Sequence, residues 1–270
     1  MPVHNFASQS LGLSSIVNMR ELGGYVLPGS RRIKKGLLFR GGSLANASDE
    51  DLQLLTSKWN LAVDFDFRGE SEVKRAPDRV PKGTRYVWLP AIDPETETVA
   101  CLSLPKEAYL NLPDYLVRNA WNTMIQGVAR RLYTDMVVNE YTQLQYAVFF
   151  QSMINTPSGS FFWHCSQGKD RTGLAAAFLL CALGAPRELI LQDYCISAEY
   201  YRPDVKPLMS MVSTQEERDV IRAFIGVKPE YFIAGLDLID RRYGSLEAYV
   251  RGPLCLTDGD ITALRDRFLE

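Results

Sequence analysis

The sequence is short of the residues that build metal and redox centres. Histidine occurs only at His4 and His164. The five cysteines, at 101, 165, 181, 195 and 255, are odd in number, widely spaced and form no CxxC pair. That makes a poor disulfide framework and a poor Cys/His zinc site. Charge of one sign is not in excess either: 30 Lys and Arg stand against 32 Asp and Glu, for a net charge of −2. Nothing global therefore draws nucleic acid or an acidic membrane, and any anion site has to be local. No run of about 18 apolar residues occurs, so no membrane span is expected. The start, MPVHNFASQSLGLSS, lacks the basic flank and apolar run of a signal peptide. The expectation is a cytoplasmic protein, unless an export signal has been cut from the chain. There is no internal repeat and no low-complexity tract. A kinase-type GxxxxGK[ST] loop is excluded, because Lys169 is followed by aspartate.

What is present suits a soluble globular protein. The chain has 270 residues, 46% apolar and 23% charged, enough for one large domain or a domain with an appendage. Short apolar runs read as strands at GLLFRG (36–41), LAVDFDF (61–67), TRYVWLP (84–90) and SFFWH (160–164). SDEDLQLLTSKW (48–59) reads as a helix, with Ser48 as N-cap and Asp51 as the acid of a capping box. Strands separated by helices predict a mostly parallel sheet with helices on its faces. Residues 93–130 are irregular, with prolines at 94, 105 and 113 and aromatics at 109, 115 and 121; such a segment is expected to be a lid, a binding loop, a disordered piece or a helical excursion packed on the core. One long helix is expected over 133–154. After residue 173 the pattern is helical at 171–183, 187–200, 215–225, 229–242 and 257–268, with Pro186 and Pro229 suited to first turns. Cys181 and Cys195 fall in apolar helical patterns and are expected as core thiols; Cys101 and Cys255 take no role.

The stretch HCSQGKDRTG (164–173) joins the strand SFFWH to the helix that opens near Arg171. Backbone amides at a helix N-terminus are unsatisfied, and the dipole there favours an anion. Gly168 allows Ser166, Gln167, Gly168, Lys169 and Asp170 to curl with their N–H groups inward as a nest. Cys165 facing that nest, with Arg171 six residues on, is expected to be a thiolate at neutral pH. The Arg171 guanidinium suits two oxygens of one phosphate. A thiolate beneath a clamped phosphoryl group is a nucleophile in line with the ester bond. Thr172 is close enough in sequence to donate to the sulfur.

HCSQGKDRTG resembles the phosphate-binding loop of the cysteine-dependent protein-tyrosine phosphatase superfamily. Its Lys-Asp pair is similar to that of the atypical bacterial branch, which acts on phosphotyrosine and, in several members, on phosphoserine/threonine and phosphoinositides. NMRELGGY (18–25), FRGGSL (39–44), VDFDFRGESE (63–72) and YGSLEAYV (243–250) resemble further segments of that branch, with Gly41 and Gly69 where serines are usual. The resemblance implies a phosphatase-like α/β fold: a central, mostly parallel four- to five-stranded sheet, helices on both faces and a helical C-terminal half. It implies one phosphatase domain over 1–270, with 93–130 as a lid or insertion and 186–270 as a helical extension packed on the core. It implies no cofactor and no metal. It further implies that the general acid is an aspartate just after a strand ending in Leu-Pro, here Asp93 in VWLPAID, with Asp170 as the rival. Asp66 and Arg68 read as supports, and His164 as a residue fixing the loop from behind Cys165. Arg20 and Arg40 take no role.

The expected activity is that of a cysteine-dependent phosphomonoesterase with a phosphocysteine intermediate. Its partners would be a phosphorylated protein or a phosphoinositide. A phosphate-recognition module without turnover is the alternative, and a rhodanese-type sulfurtransferase is a third reading that has no need of Arg171-Thr172-Gly173 at a helix start. Lys169 has two readings: an ion pair with Asp170, or a partly exposed ammonium reaching a second anion.

Overall fold

The computed structural model describes residues 11–94 and 111–270. Five strands form one sheet: β1 (Arg20–Glu21), β2 (Leu38–Gly41), β3 (Leu61–Asp66), β4 (Arg85–Trp88) and β5 (Ser160–His164). Their order is β1-β2-β5-β3-β4. Only β1 runs antiparallel to its neighbour, so the sheet is mostly parallel, as expected. β5 lies at its centre, where Phe162 is opposite both Phe39 and Asp64.

Side-chain alternation builds two cores from one sheet. Phe161 and Trp163 join Leu38, Val63 and Phe65 in the large core, while Phe162, Phe39 and Leu61 point into a smaller one. A register shift between Leu61 and Val63 lets β3 contribute to both. The smaller core is closed by helix α1 (Asp49–Ser57) through Leu55. On the other face lie α5 (Glu140–Ile154) and α6 (Asp170–Leu183). Every residue of α6 from Arg171 to Leu183 is buried, which is why its sequence is apolar all round.

The remaining helices are α2 (Glu70–Arg75), α3 (Leu112–Asn119), α4 (Thr123–Val138), α7 (Arg187–Met209), α8 (Gln215–Phe224), α9 (Pro229–Tyr243), α10 (Leu246–Arg251) and α11 (Asp258–Phe268). A third, separate cluster joins Leu116 of α3 and Ala120, just past its end, to Val220 and Ile221 of α8. Among the described residues no helix is long and apolar enough to cross a membrane.

Four local expectations change. The long helix foreseen over 133–154 is two helices, because Asn139 breaks it. Asn139 Oδ1 accepts from Thr142 N at 3.1 Å and starts α5, while Thr142 Oγ1 donates to the Asn139 carbonyl at 2.8 Å. α7 runs on past residue 200 through Pro203 and Pro207. Its second half is held by packing, Tyr201 being buried and Val205, Leu208 and Met209 lying against the third cluster. Ser48 does cap α1, accepting from Asp51 N at 3.2 Å. Asp51, however, turns to Ser15 N, 2.9 Å away, and Ser48 N donates to Ser15 Oγ at 2.8 Å. The irregular reading of 93–130 gives way to α3 and the start of α4; residues 95–110 of that segment lie outside the described residues.

Candidate active site

β5 delivers Cys165 to the end of the sheet, and residues 165–169 curl into the first turn of α6. Each carbonyl of that curl has a partner. The Cys165 carbonyl is 3.3 Å from His164 Nδ1, and the Ser166 carbonyl accepts from Ser43 N at 3.3 Å. The Gln167 carbonyl accepts from Asn18 Nδ2 at 3.2 Å and from the Tyr201 hydroxyl. The Gly168 carbonyl accepts from Asn18 Nδ2 and from Arg40 Nη2, both at 2.9 Å. The Lys169 carbonyl accepts from Gly173 N at 2.9 Å. Carbonyls pulled outward turn the intervening amides toward the concave side, the requirement for an anion nest. Gly168 has φ +65°, and a Cβ there would meet the Gly41 carbonyl at 2.1 Å, so only glycine fits. Gly41 is itself crowded: a Cβ on it would come within 3.2 Å of Met19 Sδ and Phe162.

Arg171 is set by an acid that the sequence reading passed over. Its Nη1 and Nη2 donate to Glu72 Oε2 and Oε1 at 2.5 and 2.9 Å. Glu72 also accepts from Gly69 N at 2.9 Å and from the Ser166 hydroxyl. Burial alone would raise the Glu72 carboxyl, but Arg171 and these donors outweigh it and hold it at about 2. The clue available in the sequence was the spacing Gly69-x-x-Glu72 at a helix start, together with the need of a buried arginine for a counter-charge.

Cys165 is 2% exposed. Burial raises its thiol; the Arg171 charge and the hydroxyl and amide of Thr172 lower it by more, so the net shift favours thiolate. Thr172 Oγ1 is buried and finds no nitrogen or oxygen partner. The first turn of α6 is fixed by Tyr146, whose hydroxyl donates to the Arg171 carbonyl at 3.0 Å, and by Trp163 Nε1, which donates to the Thr172 carbonyl at 3.2 Å.

Asp170 Oδ1 accepts from the Tyr133 hydroxyl, which shares a 2.7 Å hydrogen bond with Tyr194. Burial keeps both phenols protonated, with pKa values raised well above the ordinary. Asp93 lies beyond β4 and accepts from Asn139 Nδ2 at 2.9 Å. The residue that breaks the long helix thus also holds Asp93. Lys169 is not the partly exposed ammonium one reading required. It is 1% exposed, donates to the Ala223 carbonyl at 2.8 Å and the Phe224 carbonyl at 3.3 Å, and lies 3.6 Å from Asp170 Oδ2.

Arg20 and Arg40, which take no role in the sequence, are both fully buried and meet at Asp193 of α7. Tyr25 donates to the same carboxylate at 3.0 Å. Burial would raise Asp193, and Arg40 and Arg20 reverse the shift. This knot carries the Gly168 carbonyl through Arg40, and Asn18 through the Arg20 Nη1 hydrogen bonds. His164, Asp66 and Arg68 gather in a second buried group behind Cys165. Arg68 Nε and Nη2 donate to the two oxygens of Asp66 at 2.9 and 2.7 Å, and Nη2 also reaches Asp78 at 2.5 Å. Burial lowers the His164 pKa; Asp66 and Asp64 outweigh it and the ring's affinity for a proton rises.

Residues 11–270 match the sequence profile of the tyrosine phosphatase family. A Cupriavidus necator protein bearing a tyrosine-protein phosphatase name is 29% identical over 263 residues, covering 96% of this chain and 88% of that protein. The triple specificity protein phosphatase PtpB of Mycobacterium tuberculosis is 28% identical over 246 residues, 81% of this chain and 86% of its own length. A tyrosine-protein phosphatase of Nostoc commune is 26% identical over 161 residues, 60% of this chain and 48% of the other.

Proposed function

The chain belongs to the tyrosine phosphatase family and is a phosphatase hydrolase, and on that premise we propose how its own residues carry out the reaction. Cys165 is the nucleophile. Its thiolate attacks phosphorus, an S–P bond forms, and the ester P–O bond breaks with the electron pair leaving on oxygen. Asp93 supplies the proton that this oxygen needs. Water then attacks the phosphocysteine and gives a proton to the Asp93 carboxylate left by the first step; the S–P bond breaks, phosphate departs, and the thiolate is restored with the help of Thr172. Arg171 and the amides of Ser166 through Asp170 bind the transferred group's equatorial oxygens throughout. The observation that carries this reading is the cradle: Cys165 at the mouth of a loop whose carbonyls are drawn outward, beside an Arg171 aligned by Glu72.

Asp170 serves better as a fixed carboxylate than as the acid, since the Tyr133 hydroxyl and Lys169 both engage it. His164, Asp66 and Arg68 support the loop from behind. The substrates are phosphotyrosine in protein, extending to phosphoserine/threonine and to phosphoinositides; the triple specificity in the name of the M. tuberculosis relative favours a broad range. The same proposal reads 1–270 as one phosphatase domain working in the cytoplasm, with part of 93–130 acting as a lid. The large core supports the single domain, drawing on residues from Leu22 to Leu269.

The test is a panel of phosphotyrosine peptides, phosphoserine peptides and phosphoinositides, assayed in excess chelator with wild type and Cys165→Ser. Wild type should hydrolyse phosphotyrosine, and Cys165→Ser should bind phosphate without turnover. Substantial hydrolysis by Cys165→Ser ends the phosphocysteine mechanism.

A further inference from the structure

The junction between α4 and α5 is pinned from several directions. The Met136 carbonyl accepts from Thr142 Oγ1 at 2.5 Å. The Val137 carbonyl accepts from Gln143 Nε2 at 2.9 Å and from the Tyr249 hydroxyl at 2.8 Å. Between the two helices stands Asn139, whose amide is used at both ends. Oδ1 accepts from Thr142 N at 3.1 Å, and Nδ2 donates to Asp93 Oδ2 at 2.9 Å. The Thr142 N–H can only donate and the carboxylate can only accept, so the amide has one permitted orientation. The helix alone does not ask for this residue. Serine, aspartate and asparagine cap about equally well. Of the three, only asparagine carries an acceptor and an N–H donor on separate atoms. The same two helices hold the catalytic loop. Tyr133 of α4 donates to Asp170, and Tyr146 of α5 donates to the Arg171 carbonyl at 3.0 Å. The segment carrying Asp93 is tied to Arg171 by another route. Ala91 N, at 3.2 Å, and Arg171 Nη1, at 3.3 Å, donate to one acceptor, the Phe67 carbonyl.

We propose that Asn139 is a positioning residue for the general acid: it fixes the Asp93 carboxyl in the frame that α4 and α5 share with the catalytic loop, and leaves Oδ1 to deliver the proton. This role rests on the reading of Asp93 as the acid. In a carboxylic acid the carbonyl oxygen is the better acceptor, so the amide N–H selects Oδ2 as that oxygen and the proton is carried on Oδ1. During cleavage the proton passes from Oδ1 to the leaving oxygen as its P–O bond breaks. Oδ2 keeps the amide contact while the carboxylate forms. Water returns a proton in the second half of the cycle, and the amide holds the group ready for it. Placement of this kind matters, because misplacing a reacting group by about 1 Å can cost on the order of a hundredfold in rate.

The test compares wild type with Asn139→Ser, which keeps a helix cap, and Asn139→Gly, a tolerated cap with no side chain. The substrates are aryl phosphates running from nitrophenyl to phenyl phosphate. Both variants should lose about tenfold or more in kcat/KM on phenyl phosphate. They should lose little on nitrophenyl phosphate, whose leaving group needs little protonation. Thermal midpoint and competitive inhibition by inorganic phosphate should stay as in wild type, because the loop is untouched. In an Asp93→Asn background, Asn139→Ser should add no further loss. Equal losses on every ester, no loss on phenyl phosphate, or a full additional loss on top of Asp93→Asn overturns the positioning role and leaves Asn139 as a helix cap. Should Asp93→Asn alone keep wild-type rates on phenyl phosphate, the reading of Asp93 as the acid fails, and the role of Asn139 falls with it. Should one Asn139 variant fail to fold, the other decides.

Discussion

The two sides of the loop 165–169 handle buried charge in opposite ways. On the concave side stand Cys165, Arg171 and Glu72, with Arg171 aligned by the carboxylate. On the convex side, Arg20, Arg40, Tyr25 and Asp193 form a knot whose carboxylate is saturated by donors. The Asp64–Asp78–His164 group, also convex, differs from the knot in setting one imidazole nitrogen between two carboxylates, 3.3 and 3.2 Å away. The lesson is that buried ionic groups serve two purposes in one small region. The saturated knot holds backbone in place, and the Glu72–Arg171 pair sets a guanidinium beside the Cys165 loop.

On that division, loss of the general acid alters rate without stability, changes in the knot alter stability first, and Glu72 affects both. The largest effect is expected from Asp93→Asn. It should lower kcat by about 10²–10⁴ on esters with poor leaving groups, and by less on good ones, with the thermal midpoint unmoved. Near wild-type rates on an alkyl phosphate, with Asp170→Asn crippled, would transfer the acid's role to Asp170.

Asp193→Asn comes next. It leaves two buried guanidinium groups without a counter-charge, and removing one partner of such an assembly costs about 3–5 kcal/mol. Urea unfolding should show that loss, along with weaker phosphate binding as the Gly168 carbonyl loses its anchor. A stable Asp193→Asn protein with impaired turnover would move the knot to the catalytic side of the comparison.

Glu72 belongs to both sides, and pH separates its contributions. Its folded-state value, about 2, lies below the ordinary 4.5. A depressed carboxylate contributes stability that is fully present above the unfolded value and is lost as pH falls toward the folded one. Wild type should therefore lose ~3 kcal/mol from this group between about pH 5 and pH 2. Glu72→Gln should lack that component in an acid-unfolding series. Identical acid profiles would mean that the Glu72–Arg171 contact adds nothing to folding.

The smallest effect is expected from Asp64→Asn. Its Oδ1 lies 3.3 Å from His164 Nε2, which Asp78 Oδ2 also faces at 3.2 Å, so the ring keeps one carboxylate and the change should stay within about 1 kcal/mol of wild type. A loss of the size expected for Asp193→Asn would erase the difference between the two convex groups.

Much of the fold was legible in the sequence because its signals are local. Four of the five strands announced themselves as short apolar runs, and β1, two residues long, did not. The helix break at Asn139 was missed because Asn139 sits inside an apolar stripe that continues on either side. The extension of α7 through two prolines was missed for the opposite reason. Local propensity argued for an end at residue 200, and packing of Tyr201, Val205 and Leu208 overrode it.

The sequence by itself determined the catalytic loop, since thiol, glycine and arginine lie within seven consecutive residues between a strand and a helix. No fold is needed to bring them together. Only the tertiary structure decided what holds that loop. Glu72 is 99 residues from Arg171, Asp193 is 153 from Arg40, and Asn18 is 150 from Gly168. Periodicity reports which face of an element is apolar, and it carries no record of which acid a given arginine will meet. With 32 acidic residues to choose from, that choice is made when the sheet closes and water leaves. An arginine without a counter-charge is then too costly to bury, and the partner is whichever carboxylate the fold has set within reach.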